Sequence, residues 1–241
     1  MDIARRGRAA SVDGRVPGGD VRLLLIRHGQ TGSNLAGSLD TAAPGAPLTA
    51  LGRRQAAALP SVLAHERIDM IVSSQLTRAL QTAQPLADAR LLTTRTADGL
   101  REISAGALEM RSDVESREAY IDCAAAWMEG DLGRRMPGGT DGKDFVDRFE
   151  SVIDAIGAEV GDGTAVLSTH GGAIRVFTAL RALDAGVGRE QAFRIMNTGA
   201  AILEGDFGRG LTLTGWSVQP LGGAHLAEAM AKDVTGTGER R

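Results

Sequence analysis

The sequence predicts an α/β fold, a three-layer α/β/α sandwich around a mainly parallel central sheet, with a short helical cap segment at about residues 103–140. Three observations carry that expectation. The continuous apolar runs VRLLLIR (21–27) and TAVLSTH (164–170) lead straight into glycine-rich turns, as strands covered on both faces do. Segments with apolar residues at helical spacing alternate with the strand-like runs. A chain of 241 residues, 43% apolar and 24% charged, is also long enough to bury one large core.

Along the chain, VRLLLIR is the first strand. Residues 49–66 form a helix with Leu51, Gln55, Ala58, Leu59, Val62 and Leu63 on one face, and Pro60 as a candidate bend. IDMIVSS (68–74) is a second strand, LTRALQTAQPLADA (76–89) a second helix, and LLTTRTADGL (91–100) a short strand with a turn. The irregular stretch that follows holds one helix around Arg117 to Met128. Residues 144–160 carry Phe145, Phe149, Val152, Ile153 and Ile156 on one helical face. TAVLSTH is another buried strand and residues 171–184 its following helix. AAILEGDF and LTLTGWSVQP close the fold as an antiparallel pair, whose outer edge is open to pairing with a second copy. Residues 21–230 are read as a single domain. Residues 1–20 and 231–241 are expected to form a disordered leader and tail, because neither buries enough apolar surface to offset its ordering entropy.

Several partners are disfavoured. A net charge of −3, with both signs mixed along the chain, forms no basic stripe to track nucleic acid. No apolar run reaches membrane-spanning length and no signal peptide is recognisable, so no membrane association is expected. Cys123 is the single cysteine, which suits a reducing, cytoplasmic location. No metal or other cofactor is expected, since the histidines are not paired at i,i+4 spacing and neighbouring arginines would repel a cation.

In a parallel α/β sheet, ligands bind beyond the carboxyl ends of the strands. Arg27 and His28 end the first strand, Ser73 and Ser74 the second, and His170 with Gly171 a later one, while Arg78 lies one turn into the following helix. Two arginines and two histidines at one sheet edge make an anion site, and Gly29, Gly171 and Gly172 let backbone N–H groups approach it. Beside guanidinium groups, His28 is held in its neutral, nucleophilic form and is suited to attack phosphorus. The arginines neutralise charge on the phosphoryl oxygens, and Glu102 in LREIS is the best-placed proton donor.

The motifs RHGQTGSN (27–34), PLTALGRRQA (47–56), SSQLTRALQTA (73–83), LREISAG (100–106), PGGTDGKDFVDR (137–148) and STHGGAIR (168–175) resemble those of the histidine phosphatase superfamily, also called phosphoglycerate mutase-like. The resemblance spans about residues 21–205. It implies that His28 is the phosphorylated nucleophile, that Arg27, Asn34, Arg78 and His170 cradle the phosphoryl group, and that Glu102 protonates the leaving group. It also implies that the backbone N–H of Gly171 joins the pocket. Where relatives continue from the acid with Gly, any residue, Trp-Glu-Gly, this chain has GALEMR (106–111), so Glu109 competes with Glu102 as proton donor. Thr140 replaces part of a Glu-Ser pair and is read as a helix N-cap. The 67 residues between Glu102 and His170 resemble the shorter, phosphatase-type branch, not the mutases with a longer insertion.

The expectation is therefore a metal-independent phosphatase acting on a small phosphomonoester through a phosphohistidine. A cofactor-dependent phosphoglycerate mutase is the first alternative, and a non-catalytic phospho-ligand or protein-binding member of the fold the second. Other conspicuous residues receive plainer readings. His65 and His225 are surface residues, Arg53 and Arg54 a solvated helix face, and Arg134 with Arg135 either solvated or part of a substrate rim. Tyr120, Cys123 and Trp127 are a packing face of the cap.

Overall fold

The computed structural model describes residues 20–183, 194–206 and 209–227. The leader and tail expected at 1–20 and 231–241 lie outside these residues, Asp20 excepted.

The strands are β1 (Val21–Arg27), β2 (Met70–Ser73), β3 (Thr94–Thr96), β4 (Thr164–Thr169), β5 (Ala182–Leu183), β6 (Ala200–Asp206) and β7 (Gly210–Ser217). The α-helices are α1 (Gly32–Ala36), α2 (Ala50–Val62), α3 (Thr77–Arg90), α4 (Val114–Met128), α5 (Gly142–Val160) and α6 (Gly171–Arg181). The strands form one sheet in the order β3-β2-β4-β1-β6-β7-β5. From β3 to β1 neighbours run parallel, whereas β6 is antiparallel to both β1 and β7.

β1 shows why three layers form. Side chains alternate across a strand, so Val21, Leu23 and Leu25 enter one core with Phe145, Phe149 and Phe177 of α5 and α6. Leu24 and Ile26 enter the other core with Leu59 of α2 and Leu86 of α3. A strand apolar on both faces therefore needs helices on both sides, as its unbroken LLLI run implies. Tyr120, Cys123 and Trp127 of α4 are buried in the first core, in line with the packing reading.

Helix boundaries follow their caps. Asp113 accepts from the Ser116 N–H, so α4 begins at Val114 instead of near Arg117. Asp141 accepts from the N–H groups of Lys143 and Asp144 and caps α5. Thr140 is therefore not the N-cap that the sequence suggests: its neighbour's carboxylate takes both donors. Pro60 lies inside α2 without ending it.

Two short elements escaped the sequence pattern. α1 is held by a capping box in which the Thr31 hydroxyl accepts from Asn34 N–H and Asn34 Oδ1 accepts from Thr31 N–H. β5 pairs in parallel with Leu211 and Thr212 of β7. The outer edge expected of the C-terminal hairpin is consequently covered for two residues. Arg53, Arg54, His65, Arg134, Arg135 and His225 are exposed.

Candidate active site

The carboxyl ends of β1, β2 and β4, three adjacent parallel strands, bring distant residues together. His28 follows β1 and is tied to β4 by its N–H, which donates to Thr169 O at 2.9 Å. Its Nδ1 lies 2.7 Å from Gly29 O. A carbonyl only accepts, so Nδ1 carries the hydrogen and Nε2 of the neutral ring keeps its lone pair. Burial first, then the Arg78 and Arg27 guanidiniums, push the His28 pKa well below its ordinary value, so the ring is neutral at pH 7.

His170 follows β4 with its ring centroid 5.2 Å from that of His28. Its Nε2 lies 2.8 Å from Ser74 Oγ at the end of β2. Its Nδ1 is buried without a hydrogen-bond partner. Burial and then Arg78 likewise push its pKa well down. A neutral ring that accepts the Ser74 hydroxyl hydrogen at Nε2 presents an N–H at Nδ1.

Arg78, in the first turn of α3, is almost fully buried. Its Nη2 donates to Asp40 O at 2.8 Å. Its Nη1 makes no hydrogen bond and stands 3.6 Å from Asp40 Oδ1. Arg27, the last residue of β1, is also buried, and its Nη1 donates to Ile195 O at 2.7 Å. Asn34 Oδ1 is engaged by Thr31 N–H and by Asn197 Nδ2 at 3.2 Å, which leaves the Asn34 amide nitrogen as the donor for a ligand. Asn197 also donates to His28 O, joining the two.

Glu102 is buried against the start of α6. Its Oε1 accepts from Ile103 N–H at 2.9 Å and Ala173 N–H at 2.8 Å, and its Oε2 from Gly172 N–H at 3.1 Å. The carboxylate thus satisfies helix N–H groups that lack partners within the helix. A Cβ at Gly172 would lie 2.8 Å from Glu102 Oε1, so glycine is required for this approach. Arg148 of α5 fixes the same segment from behind by donating to Gly99 O, Arg101 O and Glu102 O. Its burial and the nearby Arg101 lower its own pKa to about 10.

One glycine expectation needs correction. Gly29 N–H donates to Thr82 Oγ1 instead of the pocket, and a Cβ there would lie 2.6 Å from Gly52 O. Its smallness serves packing against α2. The glycine N–H that meets a site carboxylate is that of Gly172, one residue beyond Gly171.

One cavity is lined by His28, Thr31, Ser33, Asn34, Ser38, Asp40, Arg78 and Glu102. Four expected residues, His28, Asn34, Arg78 and Glu102, share this wall, with His170 against His28. Arg27 and Gly171 are not on it. Glu109 is not on it either, because its carboxylate is taken by Thr41 N–H, Thr41 Oγ and Ala42 N–H. Asp40, Ser38 and Asn197 went unrecognised, since they belong to irregular loops with no periodicity or motif. Among the described residues, no group of three His, Cys, Asp or Glu side chains is placed to hold a metal ion.

The family model described as histidine phosphatase superfamily (branch 1) matches residues 23–218. The chain belongs to that superfamily. Among its relatives, the PE-PGRS family protein PE_PGRS11 of Mycobacterium tuberculosis is 32% identical over 232 residues, covering 90% of this chain and 40% of that protein. The chain therefore spans less than half the length of that relative. A glucosyl-3-phosphoglycerate phosphatase of Mycolicibacterium vanbaalenii is 36% identical over 170 residues, covering 66% of this chain and 72% of that one. In three dimensions, a mycobacterial glucosyl-3-phosphoglycerate phosphatase solved with VO3 superposes with a TM-score of 0.67 at 27% identity, covering 82% of this chain and 99% of that one.

Proposed function

We propose that this chain hydrolyses a small phosphomonoester through a phosphohistidine on His28. The observation that carries the reading is the Nδ1 contact to Gly29 O, which leaves Nε2 of a neutral imidazole bare beside Arg78. Two buried nitrogens in the same cluster, Arg78 Nη1 and His170 Nδ1, lack hydrogen-bond partners. Such groups are costly unless a ligand satisfies them, and phosphoryl oxygens suit both.

His28 Nε2 attacks phosphorus in line with the departing alcohol oxygen; the N–P bond forms as the P–O bond breaks. Arg78, Arg27, His170 Nδ1 and the Asn34 amide stabilise the phosphoryl oxygens. Glu102 gives a proton to the alcohol oxygen. Oε2 is the oxygen for this, because it accepts one N–H where Oε1 accepts two. Glu102 then takes a proton from water as water attacks phosphorus and the N–P bond breaks, releasing phosphate and restoring both residues.

The short segment between Glu102 and His170 and the phosphatases among the relatives support water as acceptor over a second phosphoglycerate hydroxyl. No metal is assigned a step. The buried, unpaired Cys123 suits the cytoplasm, and no helix among the described residues is long and apolar enough to cross a membrane.

The test is phosphate release from p-nitrophenyl phosphate and 3-phosphoglycerate in EDTA without bisphosphoglycerate. Release by the wild type and its abolition in His28→Ala is the expected outcome. Wild-type turnover by His28→Ala would remove the nucleophile. Phosphoglycerate interconversion only after a bisphosphoglycerate primer is added would replace the phosphatase with a mutase.

A further inference from the structure

Asp40 is a carboxylate inside a cavity built to receive an anion. Its side chain is 7% exposed, yet Arg78 Nη1 is 3.6 Å away, too far for a hydrogen bond. Asp40 Oδ2 is committed to Ser33 Oγ at 2.7 Å and to Ala46 N–H at 2.9 Å. Asp40 Oδ1 retains acceptor capacity. Beside it, Thr31, Ser33 and Ser38 line the cavity with hydroxyl groups.

The charges on this wall are unequal. Among the described wall residues, Arg78 is committed to the phosphoryl group and Glu102 supplies the leaving group's proton, so Asp40 is the carboxylate that a second anionic group would meet. Arg27 stands off the wall with Nη1 on Ile195 O, and Arg148 donates to the backbone carbonyls that fix Glu102. The phosphoryl group itself requires the guanidiniums of the cradle. Among the described wall residues, no cation remains to neutralise a second anionic group on the substrate, and such a group would meet Asp40 in a partly desolvated space.

We propose that Asp40 is a specificity-determining residue: the leaving-group end of the cavity accepts phosphomonoesters of neutral, hydroxyl-bearing alcohols and rejects those carrying a second negative charge. A substrate hydroxyl donates to Asp40 Oδ1 and accepts from Ser38, because the Ser33 hydroxyl hydrogen is already given to Asp40 Oδ2; an ionised carboxylate or second phosphate has no hydrogen to donate to Asp40 and meets its charge. The inference deepens the phosphatase reading and rests on it for which end of the substrate the cradle holds.

Glycerol 3-phosphate and 3-phosphoglycerate isolate the charge, since they share phosphate and carbon chain and differ in a CH2OH against a carboxylate. Binding is read by calorimetry on His28→Ala, which turns over neither. Glycerol 3-phosphate should bind about tenfold more tightly or better, and Asp40→Asn in that background should cut the preference to about threefold or less. Should Asp40→Asn fail to fold, Ser38→Arg, which adds a cation to the same wall, should narrow the ratio by strengthening 3-phosphoglycerate binding.

Equal or tighter binding of 3-phosphoglycerate overturns the proposal, as does no measurable binding of either ligand. A preference that survives both Asp40→Asn and Ser38→Arg removes Asp40 as its source. Release of phosphate from p-nitrophenyl phosphate by the wild type reports separately on the phosphatase reading. No release alongside intact discrimination would sink that reading and leave the selective wall standing.

Discussion

Glu102 and Glu109 sit on the same irregular segment, and each carboxylate is held by backbone N–H groups, but their surroundings assign them different work. Glu102 accepts from the first turn of α6 and lines the cavity with His28. Glu109 accepts from Thr41 and Ala42 and fastens the loop that carries Asp40. The chemistry open to a carboxylate is thus decided by what lies on the side its donors leave free. One faces the cavity beside His28 and the other faces a loop.

The largest test of that contrast is Glu102→Ala. Turnover of an alkyl phosphate, whose poor leaving group needs the proton, should fall by about 10²–10⁴. Release of p-nitrophenolate should fall far less, and equal losses on both substrates would show that Glu102 supplies no proton. Gly172→Ala should come next. Its methyl group would displace Glu102 Oε1, so kcat on the alkyl phosphate should drop toward that of Glu102→Ala while phosphate still inhibits. Normal kcat in Gly172→Ala would mean that the helix-capping position of Glu102 is not the working one.

A smaller effect concerns pH. His28 and His170 both have folded-state pKa values below 6.5, so between those values and 6.5 the unfolded chain binds protons that the folded chain refuses. Stability should therefore decline as pH falls below about 6.5 and stay level above it on account of these residues. Urea denaturation across that range should show the decline, and it should be shallower in His28→Ala. An unchanged slope would place the titration elsewhere. Smallest in activity is Glu109→Gln. The amide oxygen can keep the Thr41 and Ala42 N–H groups, but the amide nitrogen cannot accept from Thr41 Oγ1, which lowers stability by about 1–3 kcal/mol. Thermal denaturation should register this with little change in alkyl phosphate kcat. A loss matching Glu102→Ala would erase the distinction between the two residues.

Much of this arrangement was legible in the chain. The apolar run before Arg27 and His28, and that before His170, announced buried parallel strands, and such strands deliver their terminal residues to one edge. Helical periodicity located α2, α3 and α5 within a few residues, because alternation and 3.6-residue spacing are local properties of sequence. Boundaries slipped where a neighbouring side chain took the cap, as Asp141 did beside Thr140. β5 was missed because a two-residue strand is defined by its partner, β7, and not by its own residues.

The sequence by itself determined the strand-helix alternation, the family and the identity of the histidines, arginines and acid at the strand ends. Only the tertiary structure decided which acid reaches the cavity, that the Gly172 N–H meets that acid, and that Asp40 shares the cavity wall with Glu102 and stands beside Arg78. These are contacts between segments far apart in the chain, made by irregular loops whose donors and acceptors carry no period. Which partner satisfies a buried carboxylate or amide is settled when the loops pack, and every such group must then find one.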